Sequence, residues 1–230
     1  LKISTQMGKN VTNFEKKIGK IFSKKYSLMV NSGSSALILA LNVLNLKKGS
    51  EIITPCLNFG TAVSAILLTG HIPIFVDINI DTLQIVPELI EKKITKKTKA
   101  LLIPNLIGNI PEWKKIRRIA KKNNLKIIED CAEAHGCEYK GKKVGSLGDI
   151  GAFSFFANKT ITCGEGGMVV TNSDTLAEKA RSLKNLSYGK VDKFMHEDIG
   201  FNYRLPNISA AMGLGQFENI EKIINEKERI

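Results

Sequence analysis

Lys159 stands apart from the other lysines of this sequence. Most of them fall in polar runs such as Lys92-Lys93, Lys96-Lys97 and Lys121-Lys122. Lys159 instead follows Gly151-Ala152-Phe153-Ser154-Phe155-Phe156-Ala157-Asn158, which reads as an apolar strand, and precedes the turn Gly164-Glu165-Gly166-Gly167. An amine at the tip of a buried strand is shielded from water, and a neutral amine attacks an aldehyde to form a Schiff base. The plainer alternative is a strand-end lysine reaching out to solvent. Asp130 closes a second apolar run, Leu125-Lys126-Ile127-Ile128-Glu129-Asp130. In open α/β sheets, ligands bind beyond the carboxyl ends of strands, so a carboxylate there faces the crevice. It could ligate a metal, act as a base or hold a cationic ring nitrogen. Asn31-Ser32-Gly33-Ser34-Ser35 lies between a strand pattern and a helix pattern. Free amides at a helix start, small residues and hydroxyls suit a phosphate, although a simple serine N-cap has the same signature. No Gly-Lys-Ser/Thr follows, and no Gly-x-Gly-x-x-Gly is present, so this is neither a Walker loop nor a dinucleotide fingerprint.

Cys131, His135 and Cys137 crowd behind Asp130. A structural zinc site takes four ligands in paired spacing, and no second pair exists here. His135 reads as a packed, hydrogen-bonded histidine. No Cys-x-x-Cys occurs among the four cysteines, and reduced thiols are expected.

These residues need a scaffold, and the sequence describes one. Strand patterns at Tyr26–Val30, Glu51–Thr54, Ile72–Asp77, Ala100–Ile103 and Leu125–Asp130 alternate with helix patterns at Ser35–Asn45, Thr61–Thr69, Pro87–Ile94 and Pro111–Asn123. Such alternation, with near-continuous apolar strands, predicts a largely parallel sheet covered on both faces. From about residue 143 the rhythm changes. Ala152–Phe156 and Met168–Thr171 read as neighbouring strands, one of them possibly antiparallel. A helix follows over Asp174–Lys184, then a polar, aromatic-bearing stretch from 185 to 207 that reads as a functional loop.

The 230 residues allow one sizeable core, and no apolar run approaches the roughly 20 residues of a membrane span. The chain is expected to be soluble and cytoplasmic, with no membrane partner. The net charge of +12 is spread over lysine pairs rather than one tract, and the zinc-finger and RNA-binding aromatic signatures are absent. A lysine-rich solvated surface is therefore expected, with no nucleic-acid partner. The first residue is Leu1, and the helical pattern Glu218–Ile224 has no stop signal, so the ends read as cut.

Together the motifs resemble the DegT/DnrJ/EryC1/StrS family of fold-type-I, pyridoxal-phosphate (PLP) dependent nucleotide-sugar aminotransferases. The matching segments are Phe14-Glu15-Lys16-Lys17, Ser32-Gly33-Ser34-Ser35-Ala36-Leu37 and Ile128-Glu129-Asp130-Cys131-Ala132-Glu133-Ala134-His135-Gly136. Gly148-Asp149-Ile150-Gly151-Ala152-Phe153-Ser154-Phe155 follows, then Lys159 with its Gly-rich turn, then Asn202-Tyr203-Arg204-Leu205-Pro206-Asn207. The resemblance implies a three-layer α/β/α large domain with a mostly parallel, mixed sheet, as in aspartate aminotransferase. Residues 1–230 would form that PLP-binding domain, with a small C-terminal domain beyond 230.

Residue by residue, the resemblance implies that Lys159 forms the covalent link to PLP and later shuttles the proton. Asp130 would pair with the pyridinium nitrogen and keep the ring an electron acceptor. Phe59 stands where the family stacks an aromatic on the ring, with ordinary core packing as its alternative. Ser34, Ser35 and Ser154 match phosphate-binding positions. Glu133 stands where the family often has Gln near the cofactor's phenolic oxygen, and must be protonated or turned toward substrate. Asn202 matches a residue reaching the phosphate from the partner subunit, which implies a homodimer. Asn105-Leu106-Ile107-Gly108-Asn109 looks more like the sugar 3-dehydratase branch, in which His replaces the lysine. Asn158-Lys159-Thr160-Ile161-Thr162 looks like perosamine-synthase-type aminotransferases. The expectation is transfer of an amino group, from glutamate, to a keto group of a nucleotide-linked sugar. A dehydratase on the same scaffold is the alternative, and a non-catalytic basic module the remote one.

Overall fold

The computed structural model of the chain describes residues 5–189, 191–192 and 194–229. Seven strands form the main sheet: β1 (Tyr26–Val30), β2 (Glu51–Pro55), β3 (Ile72–Val76), β4 (Thr98–Pro104), β5 (Lys126–Asp130), β8 (Ile150–Ser154) and β9 (Gly167–Thr171). A small hairpin, β6 (Glu138–Tyr139) with β7 (Lys142–Lys143), sits apart from it. The order is β1-β9-β8-β5-β4-β2-β3. The pairings among β8, β5, β4, β2 and β3 are all parallel, whereas β9 runs antiparallel to both its neighbours. After Ser154 the chain turns back, Phe155 donating its amide to Gly166 O at 2.8 Å, and β9 pairs antiparallel with β8.

Alternation along each strand makes three layers. One face carries Leu28, Val30, Ile52, Leu102, Ile128 and Val169, packed under α2 (Gly33–Val43), α3 (Gly60–Leu68) and α6 (Asp174–Lys184). The opposite face carries Met29, Phe153, Met168 and Val170 against α1 (Lys9–Ile21) and α7 (Asn207–Phe217). It continues through Ile53, Leu101, Ile103 and Ile127 against α4 (Pro87–Lys93) and α5 (Trp113–Lys122). A last helix, α8, spans Ile220–Arg229. The expected three-layer, mostly parallel mixed sheet is the observed fold. Among the described residues no helix is long and apolar enough to cross a membrane.

Two local departures affect the site. The strand expected over 152–156 ends at Ser154, and Phe156 is 44% exposed. Lys159 therefore sits not at a strand tip but in a turn five residues beyond it, closed by its own amide on Phe156 O at 3.0 Å. The stretch after α6 holds isolated bridges, Asn185 to Asn202 and Tyr188 to His196, rather than a free loop.

Candidate active site

The parallel strands end side by side, with Pro104 in register with Asp130, and Asp130 with Ala152. Beyond those ends lies a cavity of about 320 Å³. Ser34, Phe59, Asp130, Glu133, Ser154 and Lys159 all line it. Two expected residues do not. Ser35 lies beneath it, its hydroxyl accepting from Ser32 Oγ at 3.0 Å. Asn202 is exposed elsewhere on its own chain, accepting from Arg204 Nε at 2.9 Å.

The anion end of the cavity is the start of α2. Ser32 caps it by accepting from Ser35 N at 3.0 Å. The amides of Gly33 and Ser34, in the first turn, have no acceptor within the helix, and the helix dipole adds positive potential there. Ser154 closes the pocket from β8, its hydroxyl accepting from Phe156 N at 3.4 Å. The approach is close enough to demand glycine: a Cβ on Gly167 would lie 2.1 Å from Ser32 O. The serine N-cap is present, and the helix start it caps opens on the cavity.

Asp130 stands at the floor, only 6% exposed. Its Oδ1 accepts from Ala132 N at 3.0 Å. Burial pushes its pKa up from an ordinary 3.8 to about 6; the Ala132 amide and Lys159 pull it down, and Glu133 pushes it further up. A carboxyl so short of water recovers its charge when a cationic N–H is set against it. That is the complement of a pyridinium nitrogen, and with the anion cradle it fits PLP at both ends of the molecule. Phe59 is 67% exposed at the mouth, so core packing is not its role. Asn58 fixes it, accepting the Phe59 amide at 2.8 Å and donating to Thr54 Oγ1 at 3.1 Å.

Lys159 Nζ lies 3.4 Å from Glu133 Oε1. The other Glu133 oxygen accepts from Ile107 N at 2.9 Å. The Asn105–Asn109 run is thus part of the site rather than an unrelated deviation. Asn105 is buried behind it, donating to Glu129 Oε1 and Asp130 O at 3.3 Å each and accepting from Trp113 Nε1 at 3.0 Å. Glu129 in turn accepts the amides of Gly145, Leu147 and Gly148, which tie down the segment leading into β8. Sequence reasoning missed Asn58, Glu129 and Glu165, the last lining the cavity from the Gly-rich turn. The polar residues inside an apolar strand (Glu129) and beside an aromatic (Asn58) were the available signals.

The histidine behind Asp130 is buried and packed as expected, but neither of its ring nitrogens has the expected hydrogen-bond partner among the described residues. His135 lies 5.7 and 5.1 Å, centroid to centroid, from the rings of Phe153 and Phe155, and burial pushes its pKa down to about 4. Among the described residues no three His, Cys, Asp or Glu stand where they could hold a metal ion.

The likeness to known proteins follows the same layout. The chain is 45% identical over 223 residues to GDP-perosamine synthase of Escherichia coli O157:H7, covering 97% of this chain and 61% of that protein. It is 40% identical over 207 residues to dTDP-3-amino-3,6-dideoxy-alpha-D-galactopyranose transaminase of Aneurinibacillus thermoaerophilus, covering 90% of this chain and 56% of that one. A solved E. coli GDP-4-keto-6-deoxy-D-mannose-3-dehydratase with bound hydrated PLP superposes with a TM-score of 0.93 at 29% identity, over 97% of this chain and 64% of that one. The chain thus spans about 60% of the length of the relatives it matches. A family model fits residues 2–230, the whole stretch that carries the anion cradle, Asp130 and Lys159. On that match this chain belongs to the DegT/DnrJ/EryC1/StrS aminotransferase family.

Proposed function

We propose that the protein is a PLP-dependent aminotransferase moving an amino group from glutamate to a keto group of a nucleotide-linked 4-keto-6-deoxy sugar. The observation that carries this reading is the meeting of an amine, a buried carboxyl and an anion cradle on one cavity: Lys159, Asp130, and Ser34 with Ser154. PLP, when bound, supplies the electron sink for a carbon that must lose its proton. The chain supplies the rest. The amine of Lys159 attaches the aldehyde and afterwards holds and returns the proton at Nζ. Asp130 keeps the ring nitrogen protonated. The α2 amides, Ser34 and Ser154 anchor the phosphate, and Phe59 covers the ring. The likeness to the E. coli GDP-perosamine synthase makes a GDP-linked sugar the first substrate to try.

The reading includes a homodimer in a cytoplasmic setting. Asn202 then reaches the phosphate of the partner's cavity. A second copy also accounts for exposed apolar side chains on and beside α3, Leu67, Leu68 and Phe75.

The dehydratase alternative keeps the same cavity and differs in outcome. Lys159 favours transfer, because an amine at that position readily completes it. The full-length protein, given PLP, glutamate and GDP-4-keto-6-deoxymannose, is expected to yield a sugar with one amine gained. Loss of the 3-hydroxyl without gain of nitrogen would replace transamination by dehydration.

A further inference from the structure

The run Asn105–Asn109 contains a backbone feature that the proposed chemistry leaves unused. Ile107 has φ +52° and ψ +25°, and Gly108 follows with φ +81°. Left-handed backbone is normal for glycine but avoided by a residue branched at Cβ. The Ile107 side chain does not hold it there, being 62% exposed. Hydrogen bonds do. Gln84 Nε2 donates to Leu106 O at 3.2 Å, Asn109 Nδ2 donates to Thr82 O at 3.0 Å, and the Ile107 amide donates to Glu133 Oε2 at 2.9 Å. A backbone held in a sparsely populated conformation beside a cavity points to a role for what it holds. What it holds is one oxygen of Glu133, and the other oxygen faces Lys159 at 3.4 Å.

We infer that Glu133, aimed by the main-chain amide of Ile107, is a positioning carboxylate for the Lys159 nitrogen, and that the left-handed turn at Ile107 and Gly108 is the element that aims it. The inference rests on the reading that Lys159 carries PLP. Its consequence is electrostatic. A fixed negative charge beside a nitrogen linked to the cofactor favours its protonated form. The other groups around that nitrogen are Asp130 at the end of β5, Glu165 in the Gly-rich turn and His135. Asp130 is held by the Ala132 amide and His135 is kept neutral by burial, and Glu133 is the carboxylate at ion-pair distance from the nitrogen.

The test is a pH titration of the visible absorbance of the full-length, PLP-loaded protein, which follows the proton on the linked nitrogen. Glu133→Gln removes the charge and keeps an oxygen for the Ile107 amide. It is expected to lower the transition by about one pH unit or more, a tenfold change in proton affinity, the size expected of one charge at this distance. Ile107→Gly keeps the amide and relieves the backbone, and is expected to leave the transition unmoved and the melting temperature equal or higher. An unmoved transition in Glu133→Gln would overturn the inference while leaving the proposed function standing. A shift in Ile107→Gly as large as that in Glu133→Gln would overturn the assignment of aiming to the backbone amide. Lys159→Arg serves as the control: a visible band persisting in it would bring down the underlying reading instead.

Discussion

Gly33 and Ser154 meet with no room between them: a Cβ on Gly33 would lie 2.7 Å from Cβ of Ser154 and 3.2 Å from its Cα. The first residue of α2 and the last of β8 are thereby brought together at the α2 end of the cavity, where the proposed function puts the phosphate. Gly33→Ala must push β8 away. It is expected to cost about 1–3 kcal/mol of stability, as overpacking does. Because the displaced residue lines the cradle, PLP affinity should fall as well. Thermal melting with and without PLP checks both, and an alanine variant with unchanged affinity would place the phosphate elsewhere.

Asp130 carries a burial cost that a cation set against it relieves. Its folded pKa, about 6, lies above its ordinary 3.8. The sign follows: the folded state binds this proton more tightly than the unfolded one. The group therefore withdraws stability from the cofactor-free protein as pH rises from about 3.8 through about 6. Above that window Asp130→Asn should stabilise the cofactor-free protein by up to about 3 kcal/mol, and at the same time weaken PLP binding. Denaturant unfolding at pH 5 and pH 8, with a PLP titration alongside, measures the opposed effects. An asparagine variant less stable at pH 8 would mean that the Ala132 amide and Lys159 already offset the cost of burying the charge.

Phe59 is a test of role by exposure. At 67% exposed it contributes little to folding, so Phe59→Ala should change stability by no more than about 0.5 kcal/mol. A lost aromatic contact of about 0.5–1.5 kcal/mol should weaken PLP binding roughly two- to tenfold. Equal affinity in the variant would remove Phe59 from the cofactor's surroundings.

The sequence carried the sheet well where local and tertiary signals agreed. Tyr26–Val30 and Asp174–Lys184 have the expected ends, the first stopping at the Asn31-Ser32-Gly33 turn and the second opening on the Ser173 cap, which accepts from Leu176 N at 3.3 Å. The helix α7 left no such signal. It holds Gly213 and Gly215, poor helix formers, and Gly213 is there because a Cβ would lie 2.6 Å from Phe14 Cε1 and 2.7 Å from Cys163 Sγ. Close packing against α1 overrode propensity. At the site, Ser34, Asp130, Ser154 and Lys159 were legible as motif residues. The bond from Ile107 to Glu133 was not, because nothing in the sequence announces a branched residue in left-handed backbone.

The proposed function requires that one lysine out of many, Lys159, carry the cofactor. Borohydride reduction of the full-length protein with PLP, followed by proteolysis and mass analysis, locates the linked nitrogen directly. The account predicts the pyridoxyl mass on the peptide containing Lys159, and its loss in Lys159→Ala. The same mass on another lysine, with the Lys159 peptide unmodified, would contradict it.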